Sequence, residues 1–321
     1  MAKLHGLLLP LPTPFEQSGD LNVQALRANI EKWNKTGVGG YVVLGSTGER
    51  VHLDESEYQL LIKVGREVVP RNLAFVVGAG QQSTGGSINE IKTAAAAGAD
   101  AVLVITPFYY RSSITQEALI THYTAVADAS PIPVILYSMP ALTGIKIEPE
   151  TAAYLSEHQN IIGIKDSSAD VAGFKRTVEL VSAAAPALAS PARADFAVLT
   201  GNGTILYEAL RAGADGGILA VGCVAPRLCL ELFRAVKAGE HEHAQLLQQK
   251  LTPLAHAVTT KYGIGGLKAA LDFVGYFGGP VRAPLRSPNE AARSEIEHLL
   301  QDALKTSTKH VSSQLSVVSS T

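Results

Sequence analysis

The stretch AAGADAVLVITPFYY, residues 96–110, contains the end of a helix, a short strand and the aromatic segment that follows the strand. Gly98 stands where the chain leaves the helix, and glycine readily adopts the left-handed conformation that ends many helices. Residues 101–105 are apolar at every position, which is typical of a parallel strand covered by helices rather than a half-exposed antiparallel one. The stretch therefore predicts one β/α unit with a buried strand.

The same pattern recurs along most of the chain. Helical stretches separate seven further apolar runs of strand length, which span residues 6–11, 40–44, 74–78, 132–136, 161–164, 197–199 and 217–219. Eight such units predict an α/β protein, a (β/α)8 TIM barrel with its helices outside the strands. A doubly wound open sheet would also alternate, but it usually carries a phosphate-binding fingerprint after its first strand, and none is present. The phrase AGAD at residues 97–100 returns at residues 212–215, as a faint internal repeat.

Polar residues before several apolar helical patterns predict where helices begin. Asp20, Asp54 and Thr115 are the predicted N-caps of three of them. Pro149 suits the first turn of another helix, which is predicted to run to about His158.

The strand pattern stops near Pro226, whereas helical patterns continue to about Leu304. We therefore predict a barrel over residues 1–226 that carries the active site and a C-terminal helical extension over residues 227–304. Residues 305–321 are rich in Ser, Thr and Val, which predicts a disordered tail.

The composition argues against several classes of function. Lys and Arg total 27 and Asp and Glu total 29, so binding to nucleic acid or anionic membranes has no support. No stretch is apolar enough to span a bilayer, and prolines interrupt the apolar N-terminal run as they would not in a signal peptide. Cys223 and Cys229 lack metal-ligand spacing and predict reduced thiols in a cytoplasmic protein. His241 and His243 lie in a polar region, so neither a metal nor another cofactor is expected.

Lys165 is the most informative residue at the predicted strand ends, where a barrel of this kind collects its reactive groups. It follows the apolar residues 161–164, so its amine would emerge from a buried strand. Burial disfavours the charged ammonium and favours a free amine, which can attack a ketone to form an imine. The alternatives are that Lys165 pairs with Asp166 or extends to water.

Other strand ends carry hydroxyl groups and small turns. Tyr137 ends the fifth strand, where its phenol would either shuttle protons or serve as a core tyrosine. Ser46 and Thr47 lie in the turn GSTGE, whose N–H groups and hydroxyls suit a carboxylate, although such turns also make ordinary loops. Asn202, between two glycines after the seventh strand, suits a helix cap.

Together these segments resemble the dihydrodipicolinate synthase/N-acetylneuraminate lyase superfamily. The resemblance rests on GSTGE, TPFYY, YSMPALTG, GIKDSS and GADGGI, in this order on successive strands, and extends from residues 12–15 to residues 282–285. It implies a class I aldolase that works without a cofactor on a 2-oxo acid such as pyruvate and an aldehyde. It also implies a homotetramer built as a dimer of dimers.

The resemblance implies a role for each matching residue. Lys165 would be the Schiff-base lysine and Tyr137 the proton shuttle. Ser46 and Thr47 would bind the pyruvate carboxylate and relay protons. Tyr109 matches a tyrosine that reaches into a neighbouring subunit's site in the synthases. The positions that match the lining of the pyruvate end of the pocket are Ser167, Gly201 and Ile218.

Within this superfamily the nearest likeness is to the 4-hydroxy-2-oxoglutarate aldolases, through segments such as YGIGGLK and GYFGGP. One departure is Thr47, where those aldolases tend to carry asparagine. The synthases carry an arginine where this chain has Leu142, and leucine cannot hold the carboxylate of aspartate semialdehyde. The alternatives are such a synthase, an aldolase or dehydratase of 2-oxo sugar acids, a sialic-acid-lyase-like enzyme, and a 2-oxo-acid-binding protein without turnover.

Overall fold

The computed structural model describes residues 4–184 and 196–305, and these form a closed barrel of eight parallel strands. Each strand pairs with its neighbours in sequence, and the last pairs with the first. The strands are β1 (Gly6–Pro10), β2 (Gly40–Val43), β3 (Ala74–Ala79), β4 (Ala101–Ile105), β5 (Val134–Ser138), β6 (Ile161–Asp166), β7 (Ala197–Thr200) and β8 (Gly216–Ile218). The predicted (β/α)8 TIM barrel is confirmed.

The fifth strand lies two residues later than its predicted range of 132–136. Pro131 and Pro133 have no N–H groups to donate to a neighbouring strand, so regular pairing begins only after them. β5 therefore starts at Val134 and ends at Ser138, which places Tyr137 inside the strand rather than at its end.

The sixth strand contains one residue more than its partner. Where β5 advances by one residue to Ile135, β6 advances by two, through Ile162 to Gly163, so Ile162 forms a β-bulge. Above the bulge, Tyr137 pairs with Lys165, which lies within β6 and not after it as predicted. Paired residues of neighbouring parallel strands direct their side chains to the same face, so both face the barrel interior.

Helices surround the barrel and continue beyond it. Within the described residues the α-helices are α1 (Val23–Trp33), α2 (Glu55–Val68), α3 (Thr84–Ala96), α4 (Gln116–Ala129), α5 (Pro140–Thr143), α6 (Pro149–Leu155), α7 (Val171–Ala184), α8 (Leu206–Arg211), α9 (Pro226–Lys237), α10 (His241–His256), α11 (Gly263–Phe273) and α12 (Glu290–Leu304). None of these helices is long and apolar enough to cross a bilayer.

The predicted N-cap of α1 is wrong. Asn22, not Asp20, caps this helix, because its side-chain oxygen accepts a hydrogen bond from the N–H of Ala25 at 2.8 Å. Leu21 still pairs with Phe15 in an isolated antiparallel bridge, so the chain is not yet helical after Asp20.

The other predicted helix starts are confirmed. Asp54 caps α2 in a capping box with Glu57, and Thr115 caps α4 through the N–H of Ala118. Pro149 is the first residue of α6, although this helix ends before the predicted His158.

The AGAD repeat has one structural role in both copies. Gly98 and Gly213 leave their helices with φ of 94° and 105°, values that glycine adopts without strain. The carboxylates of Asp100 and Asp215 then accept hydrogen bonds of 2.9 Å from backbone N–H groups of β3 and β7. Each copy therefore ends a helix and fixes the start of a neighbouring strand.

Two apolar clusters divide the core. An inner cluster fills the barrel and includes Leu8, Val76, Leu103 and Ile135, whereas an outer cluster packs the strands against the helices. Tyr137 belongs to the inner cluster, so its ring completes the barrel core while its hydroxyl points to a polar mouth.

Beyond β8 the regular elements of the chain are helices up to Leu304, as the sequence pattern indicates. α9 begins at Pro226, where the barrel is predicted to end, and α10 to α12 follow it. The division into a barrel and a C-terminal region stays a prediction, and the predicted tail lies outside the described residues except for Lys305.

Candidate active site

Lys165 and Tyr137 lie in contact at the carboxyl end of the barrel. The Lys165 side chain is buried, and its Nζ lies 4.4 Å from the centroid of the Tyr137 ring. Asp166 follows Lys165 in an extended strand and points to the other face, where its carboxylate accepts a hydrogen bond from the N–H of Ser168. Burial raises the pKa of Asp166. Lys165 instead lies over the Tyr137 ring and Asp166 beside Ser168, so no ion pair joins them within the described residues and the predicted alternative of such a pair is wrong.

Ser46, which follows β2, forms a hydrogen bond with Tyr137 at the barrel mouth. Its Oγ lies 3.3 Å from the hydroxyl oxygen of Tyr137, and either group can donate the hydrogen bond. Thr47 follows in the same 3-10 turn, Ser46–Gly48, and is buried. A hydroxyl pair that can donate in either direction suits proton transfer.

The turn that carries Ser46 and Thr47 is flanked by two strained residues. Leu44 and Glu49 have φ of 61° and 54°, and they are the residues other than glycine with positive φ in the described chain. Such conformations cost about 1–3 kcal/mol each and are concentrated at functional sites. The hydroxyl of Thr13 donates to the carbonyl of Gly48 at 2.6 Å and holds the turn in place.

Gly201 brings the end of β7 directly against the lysine. A Cβ atom on Gly201 would lie 1.9 Å from the Oγ of Ser167 and 2.8 Å from the Cε of Lys165, so a larger residue would force these side chains to move. The N–H of Gly201 donates to the carbonyl of Asp166 at 2.6 Å. Gly201 therefore lies against both Ser167 and Lys165. These are positions that the sequence predicts in one pocket.

Ile218 ends β8 and is fully buried in the inner cluster that also contains Tyr137. Tyr109 does not join this group within the chain. It is 72% exposed, and its ring packs edge-on against that of Tyr110. Its predicted role in a neighbouring subunit's site stays a prediction.

Two further residues bear on predictions made from the sequence, namely the helix cap at Asn202 and the synthase alternative at Leu142. The side chain of Asn202 accepts hydrogen bonds from the N–H and the hydroxyl of Thr204 at 3.0 and 2.8 Å, which confirms the helix-cap interpretation. Leu142, at the position where the resemblance implies an arginine in the synthases, lies in the short helix α5 and is 62% exposed. It presents no charge to a substrate carboxylate.

The sequence reasoning missed a buried ion pair beside the site. The Nζ of Lys268 in α11 lies 2.6 Å from Oε1 of Glu49, the residue that follows the Ser46–Gly48 turn. The available signal was a single lysine within the apolar segment GGLKAAL, residues 265–271. Nothing in the sequence indicates which acidic residue, more than 200 positions away, would be its partner.

The barrel and its mouth define a (β/α)8 enzyme with a buried lysine and a tyrosine in contact at the carboxyl ends of its strands. The model of the dihydrodipicolinate synthetase family matches residues 3–303. The chain belongs to this family and is a carbon–carbon lyase of the pyruvate-dependent aldolase class.

Curated relatives of similar length support this assignment. The 4-hydroxy-tetrahydrodipicolinate synthase of Methanothrix thermoacetophila is 34% identical over 296 residues, which is 92% of this chain and 96% of that protein. The enzyme of the same name from Thermotoga neapolitana is 33% identical over 304 residues, 93% of this chain and 98% of that protein.

Solved structures show the same fold over the same range. The dihydrodipicolinate synthase of Thermotoga maritima superposes with a TM-score of 0.86 at 32% identity, covering 93% of this chain and 98% of that one. A prophage protein of E. coli K12 from the dihydrodipicolinic acid synthase family, solved in complex with pyruvate, gives a TM-score of 0.84 at 30% identity. It covers 94% of this chain and 98% of that chain.

Proposed function

We propose that the chain forms a Schiff base between Lys165 and a 2-oxo acid such as pyruvate, and that it makes or breaks a carbon–carbon bond next to that imine. The observation that carries this proposal is the contact between the buried amine of Lys165 and Tyr137, whose hydroxyl lies 3.3 Å from Ser46. A buried amine with an adjacent relay of hydroxyls matches what imine formation needs.

The chemistry uses the chain's own groups. The neutral amine of Lys165 attacks the 2-oxo carbon, and Tyr137 with Ser46 supplies the proton that lets the former keto oxygen leave as water. The protonated imine draws electrons from the neighbouring carbon, which loses a proton to give an enamine. The enamine adds to an aldehyde carbon, or the reverse step releases the aldehyde, and water then hydrolyses the imine.

The carboxylate of the 2-oxo acid is assigned to the turn Ser46–Gly48. In this turn the hydroxyls and N–H groups of Ser46 and Thr47 are available as donors beside Tyr137. Ser167, Gly201 and Ile218 are assigned to the walls around the methyl and keto groups.

Two candidate functions, a synthase and an aldolase, differ in the aldehyde that reacts with pyruvate. The relatives' names favour a 4-hydroxy-tetrahydrodipicolinate synthase, in which pyruvate condenses with aspartate semialdehyde, over the 4-hydroxy-2-oxoglutarate aldolase expected first from the sequence. The aldolase stays the second candidate because of Leu142, whose exposed apolar side chain cannot replace a guanidinium toward the semialdehyde's carboxylate.

We also propose a cytoplasmic homotetramer in which Tyr109 reaches a neighbouring site. The exposed, edge-on pair of Tyr109 and Tyr110 supports the shared site, since an isolated chain gains little from displaying two aromatic rings. Cys223 and Cys229 are buried free thiols, which suits a reducing compartment. Sedimentation of the full chain measures the assembly.

Borohydride trapping tests the Schiff base. With pyruvate present, reduction should add the mass of one reduced pyruvate adduct per chain, at Lys165, and Lys165→Ala should remove both the adduct and turnover. Lys146→Ala, which replaces a partly exposed lysine paired with Asp170, is the matched control and should be trapped normally. An unmodified wild-type chain, or full activity of Lys165→Ala, would refute the proposal.

Steady-state assays then separate the two candidates. A synthase should consume pyruvate and aspartate semialdehyde with a kcat/KM far above that for cleavage of 4-hydroxy-2-oxoglutarate, and the aldolase should show the opposite order. Leu142→Arg is the informative variant, since it should raise kcat/KM for the semialdehyde only if this position faces its carboxylate.

A further inference from the structure

We propose that the buried ion pair of Glu49 and Lys268 positions the turn Ser46–Gly48 for the carboxylate of the 2-oxo acid. This inference rests on the proposed function, since it concerns the turn assigned to that carboxylate. Glu49 and Lys268 are positioning residues, and neither is assigned a contact with the substrate.

The pair is fully enclosed and its hydrogen bonds are satisfied. Both side chains are 1% exposed, and Nζ of Lys268 lies 2.6 Å from Oε1 of Glu49. The same ammonium donates to the carbonyl of Pro280 at 2.8 Å. The second carboxylate oxygen, Oε2, accepts from the N–H of Arg282 at 2.9 Å and lies 3.4 Å from Nδ1 of His52.

Glu49 connects this pair directly to the turn. Its N–H donates to the carbonyl of Ser46 at 3.1 Å, and its own φ is 54°, in the left-handed region that a glutamate rarely adopts. A backbone held there needs compensation from its surroundings. The contacts of the Glu49 carboxylate supply this compensation. They fix the Glu49 side chain and with it the orientation of the turn that precedes this residue.

Two cations of the C-terminal region contact the same aromatic ring beside the pair. Nζ of Lys268 lies 4.4 Å and the guanidinium of Arg282 4.3 Å from the centroid of the Phe15 ring. Arg282 is itself paired with Glu57 at the start of α2. The segment around residue 282 and α11 therefore form a rigid frame into which the Glu49 carboxylate fits.

Stability alone does not account for this arrangement. Replacing a buried ion pair by apolar residues of similar size is often neutral or stabilising, because taking two charges out of water is costly. An ion pair does fix direction, since its hydrogen bonds tolerate little displacement. A displacement of the turn by about 1 Å is enough to lower activity by up to about 100-fold.

The test compares two carbonyl compounds that differ in their carboxylate. The paired variant Glu49→Gln/Lys268→Met removes both charges together, so no lone charge is left buried. With this variant the KM for pyruvate should rise about tenfold or more while kcat changes less. Borohydride trapping of pyruvate should weaken to a similar extent, whereas trapping of acetone, which has no carboxylate, should weaken less, because only the Ser46 hydroxyl relay is affected.

Lys261→Met/Glu295→Gln is the matched control, because it removes another Lys–Glu pair of the C-terminal region that does not contact the turn. It should leave both trapping reactions unchanged. Equal loss of pyruvate and acetone trapping in the Glu49/Lys268 variant, together with a lower Tm, would show a structural role only and refute the inference. So would an unchanged KM for pyruvate.

If the paired variant does not fold, Glu49→Asp gives the same comparison, because aspartate keeps the charge opposite Lys268 while its shorter side chain shifts the turn. An unchanged ratio of pyruvate to acetone trapping in this variant would refute the inference. Failure of the proposed function looks different, since the wild-type chain itself would then not be trapped by pyruvate.

Discussion

At the scale of single residues, the site depends on a missing side chain as much as on those present. Gly201 lies so close to Ser167 and Lys165 that any Cβ atom would displace one of them. A side chain at position 201 would therefore crowd the lysine that lies against the Tyr137 ring. Residue types at the barrel mouth were predictable from the sequence, but this close packing was not, because it depends on the spacing of three strands.

Gly201→Ala should lower the rate of imine formation by up to about 100-fold, because the new methyl group displaces the hydroxyl of Ser167 and crowds Cε of Lys165. Stopped-flow measurement with pyruvate tests this. Gly85→Ala is the control, since a Cβ there meets nothing within 4 Å, and it should react at the wild-type rate. A normal rate for Gly201→Ala would show that the packing around Lys165 is unimportant.

His122 should make the fold sensitive to acid. Burial lowers the pKa of His122 from 6.5 to about 4. Its Nδ1 forms a hydrogen bond with the hydroxyl of Thr84, and its Nε2 is buried without a hydrogen-bond partner. The unfolded chain takes up a proton near pH 6.5 and the folded chain only near pH 4, so this contribution to stability is lost as pH falls between these values. The pKa difference corresponds to about 3 kcal/mol.

His122→Gln should therefore reduce the difference between the free energies of unfolding at about pH 7 and about pH 4, by roughly 3 kcal/mol or less. Urea titrations at both pH values measure it. His256→Gln, at an exposed position without an ion pair among the described residues, should leave the difference as in wild type. An identical pH dependence in the His122 variant would contradict the assignment.

At the scale of helices and strands, local signals predicted the elements well and their ends less well. Asp54 and Thr115 cap as expected because the helix follows them directly. Asp20 does not, because an isolated bridge between Phe15 and Leu21 delays the helix. The start of β5 and the bulge in β6 depend on the neighbouring strands, so a pattern read along one segment cannot locate them.

Asn22→Ala should destabilise the protein by about 1 kcal/mol, since it leaves the N–H of Ala25 without its acceptor. Asp20→Ala is the matched control, two residues away and bonded to the exposed Ser18, and it should cost less than about 0.5 kcal/mol. Chemical denaturation measures both. Equal effects would mean that the cap is not at Asn22.

At the scale of the whole molecule, the C-terminal helices and the barrel share contacts that the sequence could not indicate. The pair of Glu49 and Lys268 joins residues 219 positions apart, and Arg282 contacts both Gly19 and Glu57. Ile296 of α12 is fully buried in the outer core cluster. We therefore expect the described chain to unfold as one cooperative unit rather than as a barrel and a separate extension.

Ile296→Ala should lower the free energy of unfolding by about 2–5 kcal/mol and shift one single transition, because it leaves a cavity in the shared core. Leu304→Ala, at the partly exposed end of the same helix, should cost less than about 1 kcal/mol. Calorimetry and far-UV circular dichroism measure both. Two separate transitions would support independent domains instead.

The bulge in β6 has a consequence for how this barrel tolerates changes in length. Ile162 is an extra residue below Lys165, and regular alternation without it would still place the lysine opposite Tyr137. β6 can therefore lose one residue before Lys165 without changing the face on which this lysine lies. We expect deletion of Ile162 to remove the bulge and leave Lys165 paired with Tyr137. A deletion after Lys165 has no extra residue to compensate for it.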